Sequence, residues 1–242
     1  MAAADELIPA GAGDKPAPQR WDTGRVEAFS DGVFAIAITL LVLDIKVTDF
    51  EHLRTALVHE WPAYLAYVTS FLTVGSVWIA HHNLFSRLRY IDSTMLRLNL
   101  LLLMATAFLP FPTSVLAEAL HTGHTAERTA VVFYGAAALA IDLLLRAGVR
   151  YAESRPDLQV EDRPSPTLPE VVTEPRPRVT GWRAWLSTAL YAAAILFGVF
   201  VFPKVAVVGY LAVAVRSVFV VGSEGRLSLD LHWLIPKRWS RP

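Results

Sequence analysis

Long apolar runs separated by short polar breaks divide this chain, and the runs have the length of membrane-crossing helices. Six can be marked, at about Thr23–Val47, Trp61–Phe85, Thr94–Val115, Ala126–Val149, Trp182–Phe202 and Val205–Val221. A crossing helix needs about 20 mostly apolar residues, so the sixth run is marginal. Pro62 falls near the start of the second run, where a helix tolerates it. Pro110 and Pro112 fall late in the third and predict a kink or an end there. Thr48, Asp49 and Glu51 end the first run and lead into a short linker with room for a helical turn. Arg87 and Arg89 mark a tight turn, and Pro203 with Lys204 a very short one. The pattern predicts an all-α integral membrane protein with six transmembrane helices.

Residues 150–180 break the pattern. Pro156, Pro164, Pro166, Pro169, Pro175 and Pro177 lie among many charges there, which predicts a poorly ordered linker on the solvent side. Residues 1–20 are small, acidic and proline-containing and carry no apolar run, so they read as a disordered cytosolic tail rather than a signal peptide. Residues 224–242 form a mixed tail whose Leu227, Leu229, Leu231, Trp233 and Trp239 suit a membrane surface. Residues 21–223 are then one transmembrane domain, with no soluble unit large enough for a separate active site. The Phe-Ser-Asp sequence of the first run does not recur in the last three, which argues against an internal duplication.

Composition and charge sharpen this picture. The chain is 54% hydrophobic and 18% charged, with a mean hydropathy of +0.40, whereas soluble domains carry about 25% charge. A formal net charge of zero argues against a nucleic-acid partner, and the absence of cysteine excludes disulfides and thiolate chemistry. Basic residues collect on alternate connections. Arg87 and Arg89 lie between runs two and three, Arg146, Arg150, Arg155, Arg163, Arg176, Arg178 and Arg183 around the linker, and Arg226, Lys237, Arg238 and Arg241 in the tail. The opposite connections hold Lys46, Arg54, Arg128 and Lys204. Positive charge favours the inside, so both termini are expected in the cytoplasm.

The candidate chemistry lies in the first run. Asp31 and Asp44 bound its apolar stretch, and the twelve residues between them rise about 18 Å, short of a hydrocarbon core of roughly 30 Å. One or both acids then lie against protein or water rather than lipid. Ile36, Thr39, Leu40 and Leu43, at i, i+3, i+4 and i+7, share one helical face. That face either packs against other helices or surrounds an axis in a symmetric assembly. In the second case it makes apolar rings and one hydroxyl ring, a constriction able to gate by dewetting. The Thr39 hydroxyl either offers itself to that path or bonds back to its own backbone. Asp44 either draws cations to an outer mouth or simply sits at the interface. Gly32 permits close helix contact or marks local weakness near the inner mouth.

On the second run Trp78 and His82 are i,i+4 neighbours, and His81 points elsewhere. No acid or cysteine is evident beside them, so a metal site is not expected. Hydrogen bonding to the first run and proton sensing are the two readings left. Asn99 is expected to bond across helices and Arg97 to snorkel or pair. Asp142 either pairs with Arg216 across runs four and six or faces water. No nucleophile–base group, metal motif or phosphate loop stands out, so neither an enzyme nor a cofactor is expected.

The sequence Arg25-x-x-x-Phe29-Ser30-Asp31-Gly-Val-Phe-Ala-Ile36-x-Ile-Thr39-Leu40-Leu-Val-Leu43-Asp44 resembles the signature of prokaryotic members of the transmembrane protein 175 potassium-channel family, relatives of the animal lysosomal channel. The resemblance extends to Trp78, His81, His82 and Asn83, and to Asn99 with Leu109-Pro110-Phe111-Pro112. It covers about the first 115 residues. It implies a homotetramer in a bacterial plasma membrane, without a pore loop, whose first helix lines the pore. It places the narrowest ring at Ile36 and further layers at Thr39, Leu40 and Leu43. It also implies that Arg25, Phe29, Ser30, Asp31, Trp78, His81, His82, Asn83 and Asn99 maintain packing and gating at the inner end. Potassium is then the permeant ion. Apolar side chains cannot replace a hydration shell as carbonyls do, so a modest preference over sodium is expected. The alternative is a small proton-coupled secondary transporter using Asp31 or Asp44. Discontinuous helices and paired inverted repeats would favour it, and neither is evident.

Overall fold

The computed structural model describes residues 20–46, 50–120, 122–160, 182–200 and 203–224. The N-terminal tail, the linker beyond residue 160 and the C-terminal tail lie outside them. Helix α1 (Thr23–Leu40) follows strand β1 (Trp21–Asp22) without a loop and tightens into a 3-10 turn, Leu41–Asp44. Asp22 caps it, its carboxylate accepting the Gly24 amide at 3.0 Å. The predicted helical turn after the first span is α2 (Leu53–His59), and α3 (Trp61–Phe85) starts with Pro62 in its first turn. Strand β2 (Tyr90–Ile91) precedes α4 (Ser93–Phe108), α5 (Pro110–Ala119), α6 (His124–Ser154), α7 (Trp182–Phe200) and α8 (Pro203–Glu224).

Among the described residues four spans are long and apolar enough to cross a membrane: Thr23–Leu43, Trp61–Phe85, Ser93–Ala119 and Thr125–Ser154. Within α8 the apolar helix Val205–Phe219 is shorter. The chain is an all-α membrane protein with at least four apolar spans.

The third span passes from α4 to α5 at Leu109 and does not stop at its prolines. Pro110 has no N–H for the Thr106 carbonyl, and the Leu109 amide takes that carbonyl instead, at 3.1 Å. The Thr106 and Thr113 hydroxyls donate to the carbonyls of Leu102 and Leu109 at 2.9 and 2.8 Å, and the helix resumes to Ala119 rather than ending near Val115. The fourth span likewise passes its predicted end at Val149 and continues to Ser154. Pro156–Leu158 then forms a 3-10 turn with Leu158 fully buried. Residues 150–160 are therefore ordered rather than linker. Asp142 does not reach Arg216. Arg146, one turn along the same helix, donates to it at 2.8 and 3.2 Å, and Thr188 of α7 donates from the other side.

The core lies between α3, α5, α6 and α8. Ala63, Ala66, Thr69, Ser70 and Thr73 keep the buried face of α3 small, which lets its neighbours approach closely. Ser70 Oγ lies 2.7 Å from Thr113 Oγ1 and 3.2 Å from Tyr134 Oη. Tyr134 and Tyr210 pack with ring centroids 5.4 Å apart, and the Tyr210 hydroxyl donates to the Val131 carbonyl at 3.0 Å.

A second cluster closes the end of the bundle where α1 begins, the basal end. Leu84, Phe85, Leu88, Ile91, Met95, Ala152 and Leu158 are buried together there. The turn between α3 and α4 is held on two sides. On one side β1 pairs antiparallel with β2, Trp21 opposite Ile91 and Asp22 opposite Tyr90. On the other, the Arg89 amide donates to Leu158 O at 2.8 Å and the Val160 amide to Arg87 O at 3.0 Å. Two-residue strands carry no hydrophobic period, so no pattern along the chain announces them.

Candidate functional site

Helix α1 has two unlike faces. Ser30, Phe34 and Ala37, with Leu41 beyond, are buried against α3 and α4. The opposite face carries Arg25, Phe29, Gly32, Ile36, Thr39, Leu40 and Leu43, all exposed in the single chain. Ile36 is 61% and Leu43 68% exposed. The first span has a mean hydropathy of 2.0, the highest of the four, yet only 22% of it is buried, against 33% to 44% for the others. The most apolar span is the least covered by its own chain. The Thr39 hydroxyl bonds back to its own helix, donating to Ile36 O at 2.9 Å. Asp44 closes the 3-10 turn, and its side chain lies outside the described set.

The motif side chains fasten α1 to α3 and α4. Asp31 accepts a hydrogen bond from Trp78 Nε1 at 2.8 Å. One turn nearer the base, Glu27 Oε1 lies 2.8 Å from His82 Nδ1. Trp78 and His82 stack with centroids 6.2 Å apart. The pairs make a two-rung ladder, because i,i+4 on one helix meets i,i+4 on the other. Glu27 is a residue the sequence reading missed, and it corrects the expectation that no acid stands beside the histidines. The repeated spacing of four was the available signal.

His81 points into the protein, stacked on Phe85 at 4.1 Å and edge-on to Phe34 at 5.3 Å. A one-way chain of donors starts at its ring. His81 Nε2 lies 2.9 Å from Asn99 Oδ1, Asn99 Nδ2 donates to Ser30 Oγ at 3.0 Å, and Ser30 donates to Val26 O at 2.8 Å. Asn99 Oδ1 can only accept, which assigns the N–H to His81 Nε2. Asn83 is half-buried and offers its backbone carbonyl to Ser86 at 3.1 Å. Arg97 folds back onto Ser93 O at 3.0 Å. Among the described residues no group of three or more histidine, aspartate or glutamate side chains is placed to hold a metal ion.

Asn99→Ala is expected to strip partners from both His81 and Ser30, which are fully buried. Each buried polar group left unsatisfied costs about 1–3 kcal/mol, and each kcal/mol lowers the melting temperature of a chain this size by about 2–4 °C. Ser30 keeps its bond to Val26 O, so the loss falls mainly on His81, and thermal unfolding of the purified variant is expected roughly 2–12 °C below wild type. An unchanged transition would mean that the chain of donors contributes nothing to holding α1.

These features define a multi-span α-helical membrane protein whose first helix is fastened on one face and bare on the other. Residues 25–110 match the profile of the endosomal/lysosomal potassium channel TMEM175. A potassium channel of Streptomyces collinus is 50% identical over 115 residues, covering 46% of this chain and 56% of that one. A potassium channel of Chamaesiphon minutus is 47% identical over 133 residues, covering 53% and 64%. In both comparisons the match spans less than two thirds of the relative's own length. The crystal structure of a lysosomal potassium-selective channel TMEM175 homolog from Chamaesiphon minutus superposes with a TM-score of 0.66 at 34% identity, over 82% of this chain and 97% of that one. The chain belongs to the TMEM175 potassium-channel family.

Proposed function

We propose that this protein is the subunit of a passive potassium channel, a homotetramer in which four copies of α1 surround the conduction path. The observation that carries the proposal is the bare face of α1. The most apolar span leaves Ile36, Thr39, Leu40 and Leu43 uncovered, and these are the positions that the resemblance assigns to the pore. Related proteins named as potassium channels support the choice of ion. Ile36 forms the narrowest ring. Helices α7 and α8 supply the fifth and sixth spans. Ser30, Asp31, Trp78, His81, His82 and Asn99 hold the basal end of the pore helix in place, Arg25, Phe29 and Asn83 serve packing and gating at that end as the resemblance implies, and none of them coordinates the ion. Asp44 lies at the opposite mouth. Arg87, Arg89, Arg150 and Arg155 gather at the basal end, which supports a cytoplasmic position for that end and for both termini.

Reconstitution in planar bilayers tests this reading. Stepwise currents are expected, with a reversal potential displaced toward that of potassium but short of it when sodium opposes. Flux that stays electrically silent points instead to a coupled transporter.

A further inference from the structure

The family profile ends at residue 110, yet the start of the first helix is tied to residues 155–160. Arg20, three residues before α1, donates to Asp157 at 3.3 Å. Asp157 is gripped by Arg155 through two bonds of 2.9 and 3.1 Å. Arg155 also reaches Asp92 and the Tyr151 hydroxyl at 3.2 and 3.0 Å. Asp92 accepts the Met95 amide at 2.9 Å, capping α4, and takes a hydrogen bond from Tyr151. The segment before α1, the start of α4 and the end of α6 therefore meet on one relay of two arginines and two aspartates. Arg20 and Arg89 additionally lie over the Tyr90 ring, at 5.8 and 5.2 Å from its centroid.

We propose that Arg155 and Asp157 are positioning residues for the first helix. Through Arg20 and the β1–β2 pair they draw the base of α1 toward the α3–α4 turn. That turn lies on the buried side of α1, opposite Phe29 and Ile36, so the relay holds the inner mouth wide. This role rests on the reading of α1 as the pore helix. Its charges persist at neutral pH. The hydrogen bonds from Arg155 hold Asp157 below the usual carboxylate range. Burial pushes Asp92 up, but the hydrogen bond from Tyr151, the Met95 amide and the Arg155 charge outweigh it and bring it below that range too. The relay is therefore insensitive to mild pH change. Its outer pairs are exposed, with side chains 38% to 43% accessible at Arg20, Arg155 and Asp157, so dissolved salt screens them.

Single-channel recording of the full chain, with hydrogen exchange at residues 20–22, tests the assignment. Asp157→Asn is expected to lower the open fraction roughly two- to fivefold at unchanged unitary conductance, and to speed exchange at Trp21 and Asp22. An impermeant salt added on the basal side is expected to reproduce the drop in wild type and to add nothing in the variant. Asp157→Glu should restore both readouts, and Arg20→Gln, at the exposed end of the relay, should act like Asp157→Asn if that variant does not assemble. Wild-type open fraction, salt response and exchange in both Asp157→Asn and Arg20→Gln would overturn the proposal. A silent wild type sinks the channel reading instead, and the exchange rates alone then decide the positioning role.

Discussion

Replacing Ile36 with asparagine is expected to raise potassium current on the order of tenfold, equivalent to about 1.4 kcal/mol off the barrier. Assembly should be retained, because the side chain is 61% exposed in the single chain and supports no core. Under the proposed arrangement four isoleucines meet at the narrowest ring, and an ion there sheds water without gaining a ligand. An amide in each subunit offers a carbonyl oxygen, and one such contact is worth about 0.5–1.5 kcal/mol net. Sodium benefits as well, so the preference for potassium should fall. Bilayer recordings with opposed potassium and sodium gradients measure both effects. Wild-type currents and reversal potential in the variant would remove Ile36 from the constriction.

The second large effect is expected in the core. A Cβ at Gly135 would lie 2.3 Å from the Tyr210 hydroxyl oxygen and 2.5 Å from Ile195 Cγ1. Tyr210 is fully buried and its hydroxyl is bonded to Val131 O, so its ring cannot swing aside without losing that bond. Gly135→Ala therefore forces α6 and α8 apart. Overpacking of this kind costs about 1–3 kcal/mol, and the lost hydrogen bond adds about 1 kcal/mol. Thermal unfolding is expected to fall by roughly 5–10 °C. Shortening the partner in the same chain, as Gly135→Ala with Tyr210→Phe, should recover part of the loss. A melting temperature equal to wild type in the single variant would show that the helices can part at little cost.

The helical phase of the first run was legible because a 3.6-residue period needs only local sequence. The exposed set at Ile36, Thr39, Leu40 and Leu43 follows from that period, as does its separation from Ser30, Phe34 and Ala37. Pairing across helices was less legible. Glu27 and His82 lie 55 positions apart, and only the matching i,i+4 steps on both helices hinted at a meeting. The basal relay was hidden for a different reason. Pro156 read as part of a loose linker beginning at residue 150, whereas it opens a 3-10 turn that buries Leu158. One apolar residue among charges gives no periodic signal, and its burial depends on a pocket built by α3, α4 and α6. Asp142 was misjudged because distant Arg216 was weighed and Arg146, one turn away, was not.

The hydroxyl of Thr39 carries one more consequence. Its proton is committed to the Ile36 carbonyl, so what it turns outward is a pair of lone electrons. In the proposed tetramer a ring of four such oxygens would offer acceptors and no donors, a polar layer that favours a passing cation and gives an anion nothing to bind. Discrimination by the sign of charge then needs no charged side chain in the path. It arises from a bond that the helix makes to itself.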